Sequence, residues 1–75
     1  RPVRQEIARL EARIDALEGE ERSATAALAD PATYQDFARA RPFVDAQRRA
    51  RAELEELYAR WEEQQRLLGS LAGEG

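Results

Sequence analysis

The chain has 75 residues, a net charge of -3 and a charged fraction of 36%. This length holds at most one small domain, and the lack of Cys and His excludes disulfides, thiolate nucleophiles and the commonest general base and metal ligand. No apolar run reaches the roughly 20 residues that a membrane-spanning helix needs, so we expect no membrane partner.

The first predicted element is a helix over residues 3–29. Its apolar residues recur at alternating spacings of four and three, which is the heptad pattern of a coiled-coil seam. The stripe consists of Val3, Ile7, Leu10, Ile14, Leu17, Ala24 and Leu28, with Glu21 at its one charged place. The pattern predicts a helical arm that buries one face against a partner helix.

A connector over residues 30–41 is predicted next. Asp30 is a residue type that caps helix N-termini and Pro31 suits a first helical turn, so a short helical turn is expected there. Arg41 precedes Pro42, and proline disfavours the helical conformation of the residue before it. The second long helix is therefore predicted to begin near Pro42.

The second arm is predicted over residues 42–69, with the same heptad spacing. Its stripe consists of Phe43, Gln47, Ala50, Leu54, Leu57, Trp61, Gln64, Leu68 and Leu71. Gly69 and Gly73 are predicted to end this helix, and residues 70–75 are expected to fray.

The predicted fold is all-α, an antiparallel two-helix coiled-coil hairpin with a short helical turn in its connector, and residues 1–75 form a single coiled-coil domain. The stripes pair Leu17 with Leu54, Ile14 with Leu57 and Leu10 with Trp61. The predicted hairpin core is Ile7, Leu10, Ile14, Leu17, Leu28, Phe43, Leu54, Leu57, Trp61 and Leu68. Two helices bury little apolar surface, so we expect a marginal monomer or a weak dimer, and exchange of arms is one way to form the dimer.

No group of residues predicts catalysis or a metal site. Adjacent glutamates such as Glu55 and Glu56 point about 100° apart on a helix, which is typical of a solvated face. The serines and threonines have no neighbouring base that would activate a hydroxyl. We expect no enzyme activity and no cofactor within this chain.

The charge is unevenly distributed along the chain. Residues 37–52 carry a net charge of +4, while residues 53–75 carry -4. A cluster of arginines at one end of a rod suits contacts with a phosphate backbone. The candidate nucleic-acid-binding residues are Arg39, Arg41, Arg48, Arg49 and Arg51.

A solvated face remains the alternative for these arginines. Ion pairs along the helix, such as Arg49 with Glu53, would then neutralise them. Tyr34 and Phe37 in the connector have two interpretations as well, because they either pack the tip of the hairpin or stack on bases beside the arginines.

Two stretches resemble a known protein family. The run Leu28-Ala29-Asp30-Pro31-Ala32-Thr33-Tyr34 is similar to the connector, and residues 53–63 are similar to the second helix, of the C-terminal coiled-coil domain of the ABC-F ATPases, Uup-like branch. The run Leu57-Tyr58-Ala59-Arg60-Trp61-Glu62-Glu63 is the most specific element. The resemblance covers about residues 3–68.

This resemblance implies a cytoplasmic parent protein that hydrolyses ATP with two nucleotide-binding domains and has no transmembrane domain. ATP and Mg would be cofactors of the parent only, because the chain has no Walker motif. The chain begins with Arg1, and we expect it to be a C-terminal piece of that longer protein.

The expected function is a DNA-binding module without sequence specificity, which tethers the ATPase to DNA or structured RNA. In Uup-like proteins this domain is associated with DNA binding, while other ABC-F proteins act on ribosomes. The alternative is a structural hairpin that packs on the parent ATPase domains or on a protein partner without nucleic-acid contact.

Overall fold

Three helices make up the part of the chain described by the computed structural model, which covers residues 2–73 in full and the backbone of residue 74. They are α1 (Val3–Ala29), α2 (Pro31–Tyr34) and α3 (Phe37–Glu74). No strand occurs within these residues, so the all-helical prediction is confirmed. Among the described residues, no helix combines the length and the hydropathy of a membrane-spanning segment.

The long helices α1 and α3 run antiparallel along a rod of 58 × 17 × 14 Å. Hydrogen bonds between them join Trp61 to Glu11, Arg51 to Glu21 and Gln47 to Thr25. The residue number falls along α3 as it rises along α1, which defines the antiparallel direction. Trp61 was predicted to lie opposite Leu10 and bonds to its neighbour Glu11 at 3.1 Å, so the observed pairing lies close to the predicted one.

The apolar stripes of the two helices meet in one buried cluster. It is formed by Leu10, Ile14, Leu17, Ala50, Leu54 and Leu57, and Trp61 packs against it while partly exposed. Ile7 and Ala24 are buried as well. Of the predicted core residues, the structure therefore buries Ile7, Leu10, Ile14, Leu17, Leu54 and Leu57.

Three other predicted core residues are outside the buried cluster, Leu28 on α1 and Phe43 and Leu68 on α3. Phe43 is 37% exposed, which contradicts its assignment to the core, and Leu28 and Leu68 are only half-buried. Phe43 lines a shallow groove with Gly19, Ser23 and Ala24 of α1, and part of its ring stays open to solvent. Two small residues, Ala24 and Ala50, are buried between the helices on the side of the connector. The predicted core does not include them.

The predicted short helical turn in the connector is present as α2. Asp30 precedes it, and its carboxylate accepts a hydrogen bond of 3.0 Å from the backbone N–H of Ala32. Pro31 occupies the first helical position, where its missing N–H costs no helical hydrogen bond. The first arm, predicted over residues 3–29, coincides with α1.

The second long helix begins at Phe37, so the predicted start near Pro42 is wrong. The Asp36 carboxylate accepts hydrogen bonds from the backbone N–H groups of Ala38 at 3.0 Å and Arg39 at 3.2 Å. This N-cap satisfies two of the backbone donors that a helix start leaves free, and it fixes the first turn ahead of the proline. The connector shrinks from residues 30–41 to residues 30–36, and Pro42 lies inside α3.

Pro42 leaves a weak point in α3. It has no N–H to donate to the carbonyl of Ala38 one turn earlier, and its ring crowds that carbonyl. We expect Pro42→Ala to raise the free energy of unfolding by about 1–3 kcal/mol. Urea denaturation followed by circular dichroism measures this change. Pro31→Ala is the matched control, because a proline in the first turn costs no helical hydrogen bond. An unchanged urea midpoint for Pro42→Ala would contradict the prediction.

The other end of α3 also extends further than predicted. The helix passes through Gly69 and continues to Glu74, so the arm does not end at residue 69 and residues 70–74 are helical rather than frayed. A glycine ends a helix when it adopts the left-handed conformation, and no described residue has a positive φ. Gly75 of the predicted tail lies outside the described residues.

Candidate nucleic-acid interface

All five candidate arginines lie on α3 and are exposed. Because the helix begins at Phe37, Arg39 and Arg41 belong to the same helix as Arg48, Arg49 and Arg51. Their spacing along the rod is therefore set by the rise of a helix, about 1.5 Å per residue, rather than by a flexible connector.

Three of the candidates form ion pairs. The pairs are Arg39 with Asp36 at 3.6 Å, Arg41 with Asp45 at 3.4 Å and Arg51 with Glu21 at 2.7 Å. The three guanidinium side chains are 62–69% exposed. Exposed ion pairs contribute about 0–1 kcal/mol each, so breaking these three pairs costs little free energy.

Arg48 and Arg49 have no carboxylate partner among the described residues. Both are exposed, and as neighbours on a helix they point about 100° apart. Arg48 lines a groove with Arg41, whereas Arg49 lies on another side of α3 beside Glu53. The positive charge of these two side chains is thus the most available in the segment.

The ion pair that would neutralise Arg49 along its own helix is not formed. Glu53 instead accepts two hydrogen bonds from Arg13 of α1, at 2.8 and 3.0 Å. These hydrogen bonds, together with the charge of Arg13, hold the pKa of the Glu53 carboxyl below its usual value. Arg51 likewise reaches across to Glu21 of α1. Packing of the two helices therefore removes a predicted acidic partner from Arg49.

A further arginine of α1 lies level with this segment. Arg22 follows Glu21, which bonds to Arg51, so the antiparallel pairing brings Arg22 to the same end of the rod. It is exposed and has no ion pair within the described part of the chain. We call Arg22, Arg39, Arg41, Arg48, Arg49 and Arg51 the arginine end of the hairpin.

The two aromatic residues of the predicted connector do not pack the tip. Phe37 is 78% exposed and Tyr34 is 55% exposed, so more than half of each residue is open to solvent. Phe37 is the first residue of α3, not part of the connector.

The other two aromatic side chains join the helices to each other. The Tyr58 hydroxyl donates a hydrogen bond to Glu18, and this bond raises the pKa of the tyrosine. Trp61 donates its indole N–H to Glu11 at 3.1 Å. Both hydrogen bonds start from the acidic half of α3 and end on α1. The two aromatic residues therefore serve to pair the helices rather than to contact a ligand.

Among the described residues, no group of three or more His, Cys, Asp or Glu side chains could hold a metal ion. The groups of the candidate interface that could contact a ligand are guanidinium groups and exposed rings. Such groups bind anions and stack on planar groups.

Comparison with known proteins identifies the family. The model of the ABC transporter C-terminal domain matches residues 3–65, which include α1, α2 and the arginine end. Neither the curated proteins nor the solved structures gave a significant match. Since the family match covers most of the 75 residues, the chain belongs to the ABC transporter C-terminal domain family.

Proposed function

We propose that this chain is the C-terminal module of an ABC-F type ATPase of the Uup-like branch, and that its arginine end binds the phosphate backbone of DNA. The observation that carries the proposal is the pair Arg48 and Arg49, which is exposed and lacks carboxylate partners within a segment of net charge +4. Membership of the family supports a module of an ABC protein. The branch rests on the resemblance of residues 57–63.

Guanidinium groups suit this role because their planar donors match two phosphate oxygens at once. Contacts with phosphates fix the position of a protein on nucleic acid but carry no sequence information, so the binding would be non-specific in sequence. The second half of α3 has a net charge of -4 over residues 53–75 and repels phosphates. Nucleic acid is thereby confined to one end of the rod, and the module tethers the cytoplasmic parent ATPase at that end.

The proposal predicts a strong dependence of binding on salt. Each neutralised phosphate contributes a slope of roughly -0.9 to a plot of log affinity against log salt concentration, so about four arginines give a slope near -3 to -4 on duplex DNA. Fluorescence anisotropy of a labelled duplex measures the slope, and a labelled RNA hairpin ranks DNA against structured RNA. A slope near zero would contradict phosphate binding by this module.

A second candidate function is a structural hairpin that packs on the parent ATPase domains. It is favoured by two leucines at the end of α3 far from the arginines. Leu67 is 42% and Leu71 is 57% exposed, and they lie one helical turn apart on a part of α3 that α1 hardly covers. This function predicts that neither nucleic-acid probe binds at any salt concentration, which separates it from the first proposal.

A further inference from the structure

The arginine end carries an aromatic ring that phosphate contacts do not use. Phe37 is 78% exposed, more than any other large apolar side chain among the described residues. Its backbone is fixed in the first turn of α3 by the Asp36 cap. Single exposed apolar residues are common on protein surfaces, so the neighbours of the ring decide what it does.

The ring stands at the end of a groove that holds two of the candidate arginines. The groove has a volume of about 260 Å³ and is lined by Phe37, Arg41, Val44 and Arg48, with Asp45 as the partner of Arg41. Phe37, Arg41, Val44 and Arg48 are four, three and four residues apart, which places them on one stripe of the helix, and Ala40 and Asp45 complete the lining. At about 1.5 Å per residue, Arg41 follows Phe37 by roughly 6 Å and Arg48 by roughly 16 Å along the axis.

We propose that this stripe binds a nucleic-acid strand with unpaired bases, with one base stacked on Phe37 and the backbone running along Arg41 and Arg48. This inference rests on the proposed function for its phosphate contacts, and it adds that the bound strand has unpaired bases. Every base offers a π-face, so stacking on a side-chain ring tolerates any sequence. Inside a duplex that face is covered by the neighbouring base pairs, so only an unpaired base reaches the ring.

The test compares a blunt duplex with the same duplex extended by a single-stranded oligothymidine tail, by fluorescence anisotropy with the complete chain. The wild-type chain is expected to bind the tailed duplex more tightly. Phe37→Ala is expected to weaken binding of the tailed duplex by about 5- to 150-fold and to leave the blunt duplex unchanged.

Two further variants separate stacking from apolar contact. Phe37→Trp keeps an aromatic face and is expected to retain the preference for the tailed duplex. Phe37→Leu keeps an apolar side chain without that face and is expected to lose the preference. Retention of the preference in Phe37→Leu would overturn stacking. Circular dichroism verifies that each variant keeps its helices.

The failures of the two proposals are distinguishable. Equal binding of both probes by the wild-type chain, or an unchanged preference in Phe37→Ala, would overturn base stacking while the phosphate contacts stand. Absence of binding to both probes would overturn the proposed function and this inference with it. In that case Phe37 is left as an apolar contact for a protein partner.

Discussion

Reversal of the two neighbouring arginines of α3 that lack an ion pair, Arg48→Glu with Arg49→Glu, is expected to weaken the affinity for duplex DNA at least about a hundredfold. A hydrogen bond to a charged group contributes about 1.5–3 kcal/mol, so losing two contacts costs about 3 kcal/mol or more. The new glutamates also repel the phosphates. The slope of log affinity against log salt is expected to become shallower by about 2, since each lost phosphate contact removes roughly 0.9.

The matched control for this variant changes the same charge elsewhere. Arg4 and Arg60 are also exposed and without ion pairs in the described part of the chain, and they lie outside the arginine end. Arg4→Glu with Arg60→Glu alters the net charge equally, so it is expected to weaken binding much less and to leave the salt slope nearly unchanged. Equal losses for the two double variants would mean that net charge, rather than a local interface, governs binding.

Truncation of the most buried leucine is expected to have the largest effect on stability. Leu10 is 1% exposed and sits in the cluster that joins α1 to α3. Replacement of a buried leucine by alanine costs about 2–5 kcal/mol, through lost apolar contact and the cavity that remains. A domain of this size rarely gains more than about 3–5 kcal/mol from its single core. Leu10→Ala is therefore expected to leave the chain largely unfolded at room temperature.

Thermal denaturation followed by circular dichroism measures this loss. Leu67→Ala is the matched control, because Leu67 is 42% exposed and its truncation is expected to change stability by no more than about 0.5 kcal/mol. A melting curve of Leu10→Ala that coincides with those of the wild type and of Leu67→Ala would place the stabilising contacts outside this cluster.

Much of the hairpin follows from local patterns. The heptad stripe predicts the extent of α1, and the pair Asp30 and Pro31 predicts α2. Both signals are local, because the spacing of apolar residues and helix capping involve only neighbouring residues. The predicted start of α3 is wrong, although the residue that begins this helix is also a local signal. Asp36 is a good N-cap, and the hydrogen bonds that it accepts at the first turn compete with the helix-breaking effect of Pro42.

The state of the candidate interface depends on contacts between residues far apart in the chain. Spacing along one helix favours an ion pair of Arg49 with Glu53, but Arg13 of α1 takes that carboxylate and leaves Arg49 without it. Phe37 stays exposed because none of the three helices covers its ring.

The amino-acid order was enough to predict two long helices, their antiparallel pairing and the positive segment, because periodicity and charge are properties of the chain itself. Which arginines stay free and which ring stays uncovered depend on the packing of α1 against α3. Several carboxylates lie at similar distances along the sequence from each arginine. The packing of the two helices therefore decides which carboxylate forms the ion pair.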